Sequence, residues 1–441
     1  MSEIADDAPP PPPDSQAVWR TMVKSFLALG LGEGGARLLG FIATVMLARR
    51  LGPAGYGLIT IGLTLVAWFA IVVNAGTEAL NVRDIARAPE RFRELADRVL
   101  GLRVVLAIVA AAVFALGAFL FAPTPDTRAV YMRFAVVLPP IAFNLRWMVL
   151  GVGGAPAVAI ANVASRLVFV AGVALFVMAP ADTLRVPFLE AIGEAVYAFV
   201  ILALLARRFG FARPRIDIPA WRETLRQSLP LMVNGLAAAA VLGFDVIVIE
   251  LVLGPVQLGY YGAALKPGLF LLGALALLSV SFLSSYSAVR GAAATALFLR
   301  TARLVTGGTL LAAVVLSAAA VPIVDLLYGD RYHQSGPLLA IMAWAVPFAA
   351  LSIPYSTTLI AGHRQRRLAR NNLITAGFTI AADLAVVPLF GLRGAAVVRI
   401  ASAIVILTLN ARSAVSLGLA PSLREVLDVR PGRRAHTPES G

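Results

Sequence analysis

The chain has 441 residues, of which 59% are hydrophobic and 14% charged, with a formal net charge of +14. A soluble domain carries about 25% charged residues, so this balance excludes an ordinary soluble enzyme. The arginines fall mostly in short loops between long apolar runs, which is the positive-inside pattern of a membrane protein and leaves no soluble basic domain for nucleic acid.

Residues 1–20 read as a disordered, Pro-rich cytoplasmic tail, marked by Asp6, Asp7 and the run Pro9 to Pro13. Apolar segments follow at about 24–49, 56–78, 98–121, 129–151, 156–179, 184–206, 228–252, 258–288, 303–327, 336–361, 368–389 and 393–415. Each is long enough to cross a hydrocarbon core of about 30 Å as a helix. The fold class is therefore an all-α polytopic membrane protein of about 12 transmembrane helices. Even-numbered connections concentrate arginine: Arg83, Arg87, Arg91, Arg93 and Arg98, then Arg207, Arg208, Arg213, Arg215 and Arg222, then Arg364, Arg366, Arg367 and Arg370. That asymmetry predicts both termini in the cytoplasm. The connection at 79–97 is amphipathic and basic, suited to lie on a bilayer surface.

An internal repeat is visible. Leu51-Gly52-Pro53 precedes Gly55-Tyr56-Gly57, and Leu253-Gly254-Pro255 precedes Gly259-Tyr260. Pro140 precedes Asn162 much as Pro347 precedes Asn371. Six helices duplicated as six give two parallel lobes related by pseudo-two-fold symmetry along the membrane normal. The expected organisation is an N-lobe at 21–208 (helices 1–6), a cytoplasmic linker at 209–226, a C-lobe at 227–415 (helices 7–12) and a cytoplasmic tail at 416–441. Two such lobes enclose a cavity, and rocking one against the other gives alternating access.

The order and spacing of several elements resemble Wzx-type polysaccharide flippases. They are Ala48-Arg49-Arg50-Leu51-Gly52-Pro53, Asp245 followed by Leu253-Gly254-Pro255, Tyr328-Gly329 with Tyr332 through Ser335, and Val387-Pro388-Leu389-Phe390-Gly391. The resemblance spans about residues 20–415 and extends to a superfamily that includes MATE-type multidrug exporters and the lipid II flippase. It implies movement of a polyprenyl-diphosphate-linked oligosaccharide from the cytoplasmic to the outer leaflet of a bacterial inner membrane. It also implies a chain that works as a monomer among membrane lipids and other polysaccharide-assembly proteins. The alternatives are a MATE-like ion-coupled exporter of small amphiphiles and, less favoured by the short outer loops, a membrane polysaccharide polymerase.

No P-loop surrounds Lys24 or Lys266, cysteine is absent, and His333, His363 and His436 are far apart. No metal site, cofactor or catalytic residue is expected, and Na⁺ or H⁺ coupling stays open. Charges at bilayer depth need a partner or a function. Arg37, Arg166 and Arg146 belong to the first lobe, and guanidinium forks match phosphate oxygens. They are the candidates for a cationic cavity that receives the diphosphate. Glu33 stands four residues before Arg37, and Glu190 or Glu194 could neutralise Arg166. Asp245 with Lys266, and Asp383 with Arg399, sit level on adjacent helices. They are salt-bridge candidates, or ion-coupling residues if a buried carboxylate titrates.

Overall fold

The computed structural model describes residues 15–428, except 79–80, 82–84, 86–91, 153, 211–212 and 289–290. Among the described residues there is no strand, and nine helical stretches are long and apolar enough to cross a membrane. This is a multi-pass membrane protein.

Two of those stretches reverse at a glycine. Ser15–Asn74 contains Gly52 at φ 69°, ψ 178°, and Gln365–Val415 contains Gly391 at φ 60°. Left-handed backbone of this kind favours glycine because no Cβ clashes. We therefore distinguish α1 (15–51) from α2 (53–74), and α15 (365–390) from α16 (392–415). The reversal at Gly391 is fixed by side chains. Asn371 donates to Asn410 at 2.9 Å and Thr379 meets Ser402 at 2.8 Å, so α15 and α16 pair antiparallel about residue 391.

Between them, in order, come α3 (Phe92–Phe121), α4 (Pro125–Phe134), α5 (Leu138–Ala142), α6 (Arg146–Gly151), α7 (Ala155–Phe176), α8 (Val186–Phe209), α9 (Ile218–Leu253) and α10 (Pro255–Ala288). Next are α11 (Ala292–Ala318), α12 (Ala320–Tyr328), α13 (Ser335–Met342) and α14 (Ala345–Ala361). A short α17 (Leu423–Leu427) closes the described chain. The end of the molecule holding Gly52, Gly254, Gly329 and Gly391 is called distal here, and the opposite end proximal.

Three expectations from sequence need correction. The segment at 129–151 is not one helix. It is broken into α4, α5 and α6, because Pro139 and Pro140 supply no N–H, and Asn144 turns its Oδ1 to the Arg146 amide at 3.3 Å. The segment at 336–361 is likewise split into α13 and α14 beside Pro347. The described parts of the linker and of the tail, 213–226 and 416–428, are held against the lobes. Residues 213 and 215 are strapped to Asp97 at 2.7 and 3.0 Å, and α9 already starts at Ile218, capped by Asp217. After α16, α17 docks under the C-lobe, where Arg303 holds the carbonyls of Glu425, Val426 and Asp428 at 2.9, 3.2 and 2.6 Å. At the other end, residues 1–14 of the expected tail lie outside the described residues, whereas helix is already present from Ser15. Most of the basic connection at 79–91 also lies outside them. Asn81 and Ile85 are described and buried.

Small residues let the helices approach. A Cβ on Gly32 would lie 2.3 Å from the Ala159 Cβ, so α1 runs against α7 with almost no gap. Arg50 extends this pairing distally, donating to the carbonyls of Val173, Ala174 and Val177 at 2.8–2.9 Å. It caps the C-terminus of α7, where helix carbonyls lack partners and the dipole favours a cation.

The lobes meet along two fronts: α1 against α10, and α2 against α9. A Cβ on Gly57 would lie 1.9 Å from the Pro255 carbonyl oxygen, and one on Gly259 would lie 2.0 Å from that of Pro53. The contact is reciprocal, because one sequence offset relates Pro53 to Pro255 and Gly57 to Gly259. Gly254, at φ 82° and ψ 175°, also repeats the backbone of Gly52. The repeated L-G-P elements therefore cross each other at the distal end.

Candidate functional site

The distal crossing is sealed by side chains from both lobes. Tyr332 donates its hydroxyl to the Ala48 carbonyl at 2.9 Å, and its ring packs edge-on against Tyr56 and Tyr260 at 6.3 and 6.1 Å. Arg49 Nε donates to the Leu327 carbonyl at 2.7 Å and Nη2 to that of Leu326, at the C-terminal end of α12. Neighbouring arginines thus cap helices in different lobes: Arg50 in its own, Arg49 in the other. Neither role was legible from the sequence, where both read as loop charges.

Below this seal, α1 faces α10. Phe41 packs on Phe270 with ring centroids 5.1 Å apart. One turn deeper, Arg37 reaches across to the C-lobe, where a Cβ on Gly273 would lie 2.2 Å from its Nη1. Arg37 is exposed, and no carboxylate pairs with it among the described residues, Glu33 included. Arg37 therefore sits in the seam between the lobes.

Arg166 is placed differently. Its Nη1 meets Glu190 at 3.0 Å and its Nη2 meets Glu194 at 3.0 Å, so α8 supplies two acids to one base of α7. Lys266 of α10, in the other lobe, lies within electrostatic range of Glu190 and forms no ion pair with it or with Asp245 among the described residues. The expected pairing of Lys266 with Asp245 is therefore not found. Asp245 accepts from Tyr261, and Lys266 lies five residues further on, rotated about 140° around the helix. Arg146 lies proximally on α6, with its charge acting on Tyr197 and its Nε buried without a partner.

Asp245 instead binds Arg399 of α16, whose Nε is 3.1 Å from Oδ2 and whose Nη2 also donates to the Leu242 carbonyl at 3.0 Å. Tyr261 donates to the same Oδ2, and Oδ1 takes the Val246 amide at 2.8 Å. Both carboxylate oxygens of Asp245 are therefore partnered. The expected Asp383–Arg399 pair does not form: Asp383 is fully buried and neither carboxylate oxygen has a partner. Arg399 is thus committed to Asp245 and leaves Asp383 without an ion pair among the described residues. Arg399 lines a cavity of about 310 Å³ in the C-lobe, walled by Val241, Leu269, Val346 and Ile406 and bordered proximally by Asn372. A polar network stiffens its floor, in which Asn410 donates to Ser352 at 2.9 Å and Asn372 to Asn234 at 3.0 Å.

Arg103 was missed by sequence reasoning. It is fully buried in α3, donating to the Asn144 carbonyl at 2.7 Å and to Thr77 at 3.1 Å. It ties the α5–α6 break to the turn after α2. The available signal was an arginine in the second turn of the segment assigned to 98–121. Among the described residues, no group of three or more His, Cys, Asp or Glu could hold a metal ion.

A family model described as polysaccharide biosynthesis protein matches residues 22–283. No curated protein matches the chain. Among solved structures, the chain is similar to the lipid II flippase MurJ in its inward closed conformation (TM-score 0.74, 16% identity, 91% of this chain and 89% of that one). It is also similar to an inward-facing MATE family multidrug transporter of the MOP superfamily (TM-score 0.67, 15% identity, 87% and 95%). An outward-facing MATE family transporter matches at TM-score 0.57 and 14% identity over 88% and 94%. At these identities the likeness establishes the shared two-lobe fold.

Proposed function

We propose, from the premise that this chain belongs to the polysaccharide biosynthesis protein family, that it flips a polyprenyl-diphosphate-linked oligosaccharide across a bacterial inner membrane. Twelve crossings with both termini cytoplasmic put the distal seal on the outer face. The substrate then enters from the cytoplasmic side between lobes held together distally, and leaves after the distal seal opens. The reading is that of a transporter acting as a monomer, not an enzyme.

The observation that carries this reading is Arg37. It is a guanidinium in the lobe seam, exposed and without an acid partner among the described residues, laid over a glycine of the opposite lobe. A diphosphate offers oxygens that match its fork. Arg146 is the second candidate for the same headgroup. Arg166, held by two glutamates, serves the internal balance of the N-lobe. Asp383 is the coupling candidate. A buried carboxylate without partners is costly while charged, so it takes a proton or Na⁺ in one state of the cycle. Asp245, bound to Arg399, is its electrostatic neighbour.

The test is flipping of a fluorescent polyprenyl-diphosphate oligosaccharide in liposomes, alongside lipid analysis of cells depleted of the protein. Arg37→Ala should abolish flipping with normal protein levels, and depleted cells should accumulate the lipid on the cytoplasmic face. Wild-type flipping by Arg37→Ala would remove the site assignment. Normal arrival of the lipid at the outer face in depleted cells would remove the function and bring an exporter of small amphiphiles forward.

A further inference from the structure

A second cavity, of about 420 Å³, lies away from the α1–α10 seam, between α2, α3 and α4 of the N-lobe and α9 of the C-lobe. Its walls are apolar: Ile61, Leu65, Phe69, Phe114 and Ile247 among others. One acid reaches into it. Glu250 is 7% exposed, accepts a hydrogen bond from Tyr131 on one oxygen, and has no partner on the other. Among the described residues, no lysine or arginine lines the cavity.

The slot has a direction. α2 runs from the distal end inward, so Ile61, Leu65 and Phe69 lie progressively deeper, over about 12 Å at the helical rise. Glu250, Tyr131 and Pro123 sit at the distal end, and Glu250 is close to the last residue of α9, Leu253. The slot is therefore polar at headgroup depth and apolar toward the membrane centre. Val113, Phe121 and Leu251 line it and are also among the most exposed apolar residues, so its mouth opens to lipid rather than to the lobe seam. One turn distal to Tyr131 on the same face of α4, Arg128 lies over the Phe119 ring at 4.9 Å, with its Nε unpartnered.

We infer that this slot binds an aminophospholipid from the distal leaflet, with its primary ammonium on Glu250, its phosphate toward Arg128 and an acyl chain along α2. A carboxylate oxygen buried without a donor calls for a cation that carries N–H groups. The lipid-facing mouth and the apolar depth require that the cation belong to an amphiphile. The neighbouring arginine supplies the partner that a zwitterionic headgroup needs. Because both lobes contribute walls, the bound lipid bridges them. This site stands independently of what the seam transports.

The test uses the full chain in nanodiscs containing equal amounts of phosphatidylethanolamine, phosphatidylcholine and phosphatidylglycerol. Lipids retained on the protein are then counted by native mass spectrometry. Phosphatidylethanolamine should be enriched about tenfold over both others, the scale of one charge-assisted hydrogen bond. Glu250→Gln, which keeps the shape and the bond from Tyr131, should erase the enrichment. Leu65→Trp, which fills the slot and leaves the acid in place, should expel the lipid. Unchanged enrichment in both variants would overturn the proposal. Retention of phosphatidylcholine equal to phosphatidylethanolamine would do so too, because its quaternary ammonium has no N–H. So would preferred retention of phosphatidylglycerol, which would assign the binding to the arginine alone.

Discussion

Arg49→Ala should loosen the distal seal without unfolding either lobe. Arg49 makes two charge-assisted hydrogen bonds to the end of α12, while Arg50 keeps α1 fastened to its own lobe. A hydrogen bond to a charged group contributes about 1.5–3 kcal/mol when buried. Arg49 is exposed, and water replaces part of what is lost, which leaves about 1–2 kcal/mol for the pair. That amounts to a shift of roughly five- to thirtyfold in the ratio of distally closed to distally open protein. The chain has no cysteine, so Arg185→Cys and Gln334→Cys would place two unique spin labels, one on each lobe at the distal end. Double electron–electron resonance should show a longer-distance population growing in Arg49→Ala and shrinking again in Arg49→Lys, which restores one point donor. A distance distribution identical to that of the parent would refute the assignment of Arg49 as an inter-lobe latch.

The reciprocal crossing predicts matched defects. Gly57→Ala and Gly259→Ala should each force the L-G-P elements apart and populate the open state to a similar degree, read with the same labels; an effect from one alone would break the symmetry argument. Arg103→Ala should lower stability by about 3 kcal/mol, because it leaves the Asn144 carbonyl without its donor beside a newly opened cavity. Thermal unfolding in detergent measures this, and an unchanged midpoint would contradict the bonding described. Arg166→Met should destabilise the N-lobe by leaving Glu190 and Glu194 uncompensated. Adding Glu190→Gln and Glu194→Gln should restore both thermal stability and flipping. Restored stability without flipping would instead place Arg166 in contact with substrate.

The all-helical membrane class and the glycine turns were legible in the sequence because each rests on local signals. Apolar runs of sufficient length have one solution in a bilayer, and Leu-Gly-Pro reads as a reversal whatever surrounds it. Helix breaks were only half legible. Pro139-Pro140 and Pro347 are local breakers, but the break after α5 also depends on Asn144 and on Arg103 from another helix. Charge pairing was the least legible layer. Asp245 takes Arg399 rather than Lys266, and Asp383 takes no base among the described residues, because partner choice follows the rotation of each helix. Glu250 and Tyr131 lie in different lobes, a contact for which no one-dimensional spacing exists.

The crossing of the two L-G-P elements has a consequence for how this sequence can change over time. Each lobe presents a proline carbonyl and each receives the other's through a glycine, so the same steric demand falls on both halves of the duplicated chain. A side chain acquired at Gly57 gains no relief from any change in its own half, because the obstructing atom is backbone. Elsewhere the halves differ: the N-lobe answers Arg166 with two glutamates, the C-lobe answers Arg399 with an aspartate and a tyrosine. The repeated element therefore stays readable where each copy constrains the other, and fades where each lobe solves its packing alone.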